Sequence, residues 1–167
     1  MTGLIITGGS IDCAFAGAFL ENRTFDMVIA VDGGLAAVKS LNIRPDAIVG
    51  DFDTVKGELL EEYRKMEGVT FEQHQPEKDE TDTELALRTA MEAGVNDIVL
   101  LGATGGRLDH SIGNIHLLYA CLQKGVNASI VNEKNLLYIL DQGKTFRSGE
   151  VWGKYISFLP LTEEVHG

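Results

Sequence analysis

The sequence predicts an α/β fold in which a doubly wound, mostly parallel sheet with helices on both faces is followed by an antiparallel β unit. Two patterns carry that reading. From residue 1 to about 132, short β-branched runs alternate with segments of helical period, as in successive βαβ units. After Val131 the helical segments stop, and short apolar runs follow one another across the turns Asp141-Gln142-Gly143 and Ser148-Gly149.

In chain order the first part reads as strand 3–7, helix 12–22, strand 26–31, helix 34–41, strand 46–50, helix 56–66, strand 69–72, helix 80–93, strand 97–101, helix 109–124 and strand 127–132. Runs such as Ala47-Ile48-Val49 and Ile98-Val99-Leu100-Leu101 are apolar without interruption, which suits strands covered on both faces. In the last helix Ile112, Ile115, Leu118 and Leu122 mark one apolar stripe. The second part reads as strands 136–140, 143–147 and 154–159. The division expected is therefore an α/β domain over 1–132 and the start of a β-sandwich over 133–167. So short a β unit cannot bury a sandwich by itself, and Leu137, Tyr138, Ile139, Trp152, Tyr155, Ile156 and Phe158 need cover. It is expected to be either truncated or completed by a partner, with a homodimer as the natural assembly.

Composition narrows the function. The 167 residues carry 14 Lys and Arg against 25 Asp and Glu, a formal charge of −11, on a composition 44% hydrophobic and 23% charged. Such a surface repels a phosphate backbone, and no basic run offers a local footprint for nucleic acid or anionic lipid. No apolar stretch approaches the roughly 20 residues of a membrane span. The N-terminus runs into Leu4-Ile5-Ile6 and Gly8-Gly9 without the layout of a secretory signal, so a cytoplasmic location is expected. Cys13 and Cys121 form no CxxC and sit among apolar residues, which predicts two reduced core thiols.

Four acidic clusters fall at strand ends or helix starts, where ligands bind in an open α/β sheet. Asp32-Gly33-Gly34 ends the second strand; its carboxylate either faces the crevice, where the glycines let a ligand approach, or caps the next helix. Asp51 and Asp53 flank Phe52 after the third strand. In an extended segment they would share a face and repel unless a cation such as Mg²⁺ sat between them; the alternative is a turn in which each binds backbone amides. Asp79 and Asp82 bracket Glu80-Thr81 at a helix head, with Lys78 beside them as a phosphate ligand or a solvated lysine. Gly102 to His110 leads into the last helix through glycines and Arg107, the elements of an anion site. Asn114 shares a helical face with His110, itself either structural or catalytic. There is no GxxxxGK[ST], and Thr7-Gly8-Gly9-Ser10 lacks the spacing and lysine of a P-loop; GxGxxG is also missing.

Taken together, Asp32-Gly33-Gly34, Gly50-Asp51-Phe52-Asp53-Thr54, Lys78-Asp79-Glu80-Thr81-Asp82 and Gly105-Gly106-Arg107-x-Asp109-His110-x-x-x-Asn114 resemble, in order and spacing, the thiamine pyrophosphokinase (thiamine diphosphokinase) family. The tail Ser157-Phe158-Leu159-Pro160-Leu161 resembles the opening of that family's β domain. The resemblance implies transfer of the β,γ-pyrophosphoryl group of ATP to the hydroxyethyl oxygen of thiamine, giving thiamine diphosphate and AMP. It implies an α/β catalytic domain followed by a β-sandwich, in a homodimer that holds thiamine between domains and subunits. Asp51, Asp53 and Asp82 would hold Mg²⁺ with Asp32 assisting, and Arg107 and Asp109 match the nucleotide-binding stretch. Gly33, Gly34, Lys78, Thr81, Gly105, Gly106, His110 and Asn114 complete the implied ATP contacts. Family members continue beyond a position like Gly167, and their later strands supply thiamine contacts, so ATP-Mg²⁺ is expected to bind this chain more reliably than thiamine.

Two other readings compete. Ala47-Ile48-Val49-Gly50-Asp51-Phe52-Asp53-Thr54-Val55 also resembles the first motif of haloacid-dehalogenase-type phosphatases, with Asp51 as nucleophile. That motif usually sits on the first strand, and here it is on the third. The other is a nucleotide-binding protein without catalysis.

Overall fold

The structure is a computed structural model and describes residues 1–53, 55–73, 80–147, 149, 151–161 and 163. Eleven elements form within two residues of their expected bounds: β1 Thr2–Ile6, α1 Cys13–Leu20, β2 Met27–Val31, α2 Gly34–Ser40, β3 Ala47–Gly50, α3 Gly57–Arg64, β4 Thr70–Gln73, α4 Asp82–Glu92, β5 Asp97–Leu101, α5 Leu108–Gln123 and β6 Asn127–Val131. A seventh strand, β7, spans Leu136–Tyr138.

The sheet order is β4-β3-β2-β1-β5-β6-β7, with β1 to β6 parallel and β7 antiparallel to β6. The chain winds outward from β1 to β4, then crosses back to β5 on the other side of β1. Side chains alternate between faces. Ile5, Ile29, Val31, Ala47 and Val49 join Leu85, Ala86, Leu118 and Cys121 from α4 and α5 in one core. Leu4, Ile6, Ala30 and Ile48 join Ala16, Leu35, Val38, Leu60 and Tyr63 from α1, α2 and α3 in the other. Both faces are thus covered, which is the reason these strands are apolar throughout. Because β1 to β6 are parallel, the loops after them open on one edge.

Three expectations are corrected. The strands expected over 143–147 and 154–159 do not form, and that over 136–140 shortens to β7. A strand needs a neighbour for its N–H and C=O groups; β7 takes the free edge of β6, and no ladder continues beyond it among the described residues. Instead, Trp152 packs edge-on to Phe15 and Phe19 of α1. Cys13 is exposed at the start of α1, while Cys121 is the buried thiol; both are free. In the expected α5 stripe Leu118 is buried, but Ile112 is 45% exposed one turn into the helix. Among the described residues no helix is long and apolar enough to cross a membrane.

Candidate active site

The carboxylates gather where β2, β3 and α4 meet. Asp32 follows β2 at φ 43, and its backbone N–H still donates to the Val49 carbonyl (3.1 Å). Its side chain lies against Gly50, where an added Cβ would sit 1.7 Å from Oδ1, so a larger residue there would displace the carboxylate. Oδ1 accepts the Phe52 N–H at 3.3 Å. Asp82 arrives from the far side of the sequence. Thr81 caps α4 by accepting the Glu84 N–H at 3.2 Å, and Arg88 reaches back to both carboxylate oxygens of Glu80 at 2.8 Å. With α4 laid across β2 and β3, this start sets Asp82 in hydrogen-bond contact with Asp32.

A hydrogen bond between two carboxyl groups requires a proton on one of them. Burial, then the bond to Asp82 and its charge, push the Asp32 pKa up to about 7, with a smaller push from Asp51 and opposition from the Phe52 N–H. In metal-free protein this has a consequence for stability. Folded Asp32 keeps its proton where the unfolded chain, near the ordinary value of 3.8, has lost it. Its contribution is therefore full below about pH 4 and disappears as pH rises through 7. With a chelator present, the melting temperature should fall between pH 5 and pH 8, and Asp32→Asn should flatten that dependence; a slope identical in the variant would contradict the assignment.

Asp51 and Asp53 do not share an extended face. Phe52 between them adopts φ 64, and Asp51 Oδ1 accepts the Asp53 N–H at 3.1 Å, so the segment is a turn. The left-handed backbone of a bulky residue is held by its ring, which is buried and meets Phe71 edge-on. Among the described residues no three His, Cys, Asp or Glu side chains stand close enough to hold a metal ion. The donor chemistry nonetheless suits Mg²⁺, a hard ion commonly held by one or two carboxylates together with substrate phosphates and water. A cation held there would offset the neighbouring negative charge that helps to raise the Asp32 pKa.

The second half of the site is a crevice between β1 and β5, where the winding direction reverses. Here backbones touch. An added Cβ on Gly9 would lie 2.1 Å from the Gly102 carbonyl oxygen, and one on Gly34 would lie 2.1 Å from that of Ile6. Gly33 is the N-cap position of α2, without a side chain to cap it. Gly105 and Gly106 both have positive φ and bring the chain to Arg107 and α5. Arg107 and Asp109 are exposed and form a two-pronged pair, Nε to Oδ1 3.1 Å and Nη2 to Oδ2 2.6 Å. The guanidinium draws the Asp109 pKa down to about 2. His110 is exposed in the first turn of α5, and the Asn114 amide donates to the Ala103 carbonyl at 2.9 Å, holding the loop from behind. Lys78, Asp79 and Thr54 lie outside the described residues.

A cavity of about 230 Å³ lies at the opposite edge among Thr2, Arg23, Phe25 and Asp97, and one of about 10 Å³ lies beside the crevice among Ser10, Gly102 and Asn132. The carboxylates and the carboxyl ends of the strands assign the site to the crevice side.

Residues 20–130 match the family described as thiamin pyrophosphokinase, catalytic domain, which spans the carboxylate cluster and the Arg107 turn. The chain belongs to that family. It is 34% identical over 140 residues to a thiamine pyrophosphokinase of Bacillus subtilis, covering 83% of this chain and 64% of the relative. Over 159 residues it is 37% identical to thiamine pyrophosphokinase 3 of Oryza sativa, covering 89% and 57% respectively. The crystal structure of thiamine pyrophosphokinase from Bacillus subtilis superposes with a TM-score of 0.69 at 29% identity, covering 81% of this chain and 62% of that one. The chain thus spans somewhat under two thirds of the Bacillus subtilis relative. In this member of the thiamin pyrophosphokinase family, sequence reading missed the close backbone approach of Gly9 to Gly102. The available signal was a glycine pair directly after the first strand.

Proposed function

We propose that this chain carries the ATP- and Mg²⁺-binding part of a thiamine diphosphokinase, which transfers the pyrophosphoryl group of ATP to thiamine and releases AMP. The observation that carries the reading is the Asp32–Asp82 carboxyl pair beside Asp51 on the carboxyl edge of a sheet with this family's motifs. Asp51, Asp53 and Asp82, assisted by Asp32, are the candidate ligands, and one or two of them would hold Mg²⁺ together with the ATP phosphates and water. Bound there, the ion would neutralise phosphate oxygens and make the β-phosphorus more electrophilic.

The protein's own part is positioning and proton transfer. Arg107 exchanges its fork from Asp109 to a phosphate, while Gly105, Gly106 and the start of α5 offer amides to the same anion. Gly33, Gly34, Thr81, His110, Asn114 and Lys78 belong to the nucleotide site in this reading. A carboxylate of the cluster takes the proton from thiamine's hydroxyl as the new O–P bond forms to the β-phosphorus and its bond to the α-phosphate oxygen breaks. Arg107→Lys keeps the charge but loses the planar fork, so KM for ATP should rise on the order of tenfold by steady-state assay; an unchanged KM would leave Arg107 a structural residue.

Residues from 133 onward serve thiamine and assembly in this proposal. Tyr155, Phe158 and Leu159 are exposed apolar side chains that a second copy would cover. Light scattering should give a dimer in the cytoplasmic pH range, and a monomer at micromolar concentration would refute that part. The reading as a whole is tested by incubating the chain with ATP and Mg²⁺, with and without thiamine: AMP should accumulate only with thiamine. ATP binding without thiamine-dependent AMP would favour a non-catalytic nucleotide-binding protein.

A further inference from the structure

We infer that Thr104 and Asn132 are positioning residues for the Gly105-Gly106-Arg107 turn, suspending it across the crevice so that its amides and guanidinium are set before nucleotide arrives. The inference rests on the proposed function for what the turn binds, and on geometry for the suspension. Thr104 is held at two atoms by two different strand ends. Its carbonyl accepts the Ser10 N–H, after β1, at 3.0 Å, and its Oγ1 accepts the Asn132 amide, after β6, at 3.0 Å. One residue earlier, Ala103 is tied to α5 through Asn114.

The grip is one-sided. At Gly105 an added Cβ would lie 2.4 Å from Ser10 Oγ, whereas at Gly106 nothing lies within 4 Å, and Arg107 is exposed. The turn therefore has an anchored base and an open tip. Gly105 and Gly106 have φ 89 and 72, and two successive glycines leave the backbone many alternatives. Fixing Thr104 removes much of that freedom before binding, which lowers the ordering cost that a phosphate ligand would otherwise meet. Asn132 is suited to the task because its own Oδ1 accepts the Lys134 and Asn135 N–H groups at 2.9 and 2.8 Å, which fixes the direction of its amide.

The decisive variant is Thr104→Val, which removes the hydroxyl at nearly constant volume and leaves the Asn132 turn intact; Asn132→Ala would disturb that turn as well. Two readouts are needed. Hydrogen exchange of the amides of 103–107 should quicken roughly tenfold in Thr104→Val, and KM for ATP should rise roughly fivefold to twentyfold while kcat at saturating ATP changes less than about threefold. Thr104→Ser, which keeps the hydroxyl, should restore both to within about twofold of wild type. Unchanged exchange and KM in Thr104→Val, or a Thr104→Ser that fails to restore them, would overturn the inference. A wild-type chain without ATP turnover counts against the proposed function instead; the suspension then stands or falls on the exchange rates alone.

Discussion

Asp51→Asn should lower thiamine-dependent AMP formation on the order of 10²–10³-fold or more while leaving the fold intact. The asparagine keeps an oxygen to accept the Asp53 N–H, so the turn around Phe52 need not rearrange. What disappears is one negative charge next to Asp32, whose proton affinity Asp51 helps to raise. Repulsion in the metal-free site is relieved, and the melting temperature without metal should hold or rise slightly. Chromatography of AMP and a Mg²⁺ titration of the residual activity check the first part, and calorimetry the second. Half of wild-type activity in the variant would remove Asp51 from the machinery, and a fall of more than about 5 °C would make it a structural residue.

The largest stability effect is expected at Gly34→Ala. The new Cβ would lie 2.1 Å from the carbonyl oxygen and 2.7 Å from the carbonyl carbon of Ile6, and 3.0 Å from that of Thr7, all of them backbone atoms of β1 or its end. No side chain can rotate away, so α2 must withdraw from the sheet. A cost of about 3 kcal/mol follows from overpacking of this kind, or roughly 6–12 °C in a chain of this size. The Asp32-Gly33 corner would move with α2, and activity should fall even where the variant remains folded. Gly113→Ala is the control, since it lies inside α5 with nothing within 4 Å and should gain about 0.5–1 kcal/mol from helix propensity. If Gly34→Ala melts with wild type, the close approach of α2 to β1 is wrong.

The elements most legible in the sequence were those whose cause is local. Ala47-Ile48-Val49 is apolar at every position because both of its faces are covered, and the break to Gly50-Asp51 marks its end. The motif residues at the carboxyl edge were legible for the same reason, as polar and glycine residues interrupting apolar strands. The relation between Asp51 and Asp53 was not, because alternation presumes an extended backbone and Phe52 is left-handed there. That conformation is held by burial against Phe71, a contact between strand ends that no local pattern encodes. Likewise Asp32 and Asp82 lie fifty residues apart in the chain and meet only because α4 recrosses the sheet. The runs at 143–147 and 154–159 have strand-like composition, but composition cannot supply a neighbouring edge.

The most direct measurement is the ³¹P NMR spectrum of the reaction of ATP, Mg²⁺ and thiamine with this chain. Pyrophosphoryl transfer predicts that the three ATP signals give way together to the single monoester signal of AMP and the two signals of thiamine diphosphate, in equal amounts. ADP with thiamine monophosphate or free phosphate would mean that the γ-phosphorus is attacked, and AMP with free pyrophosphate that water rather than thiamine is the acceptor. Either product pattern would contradict the account.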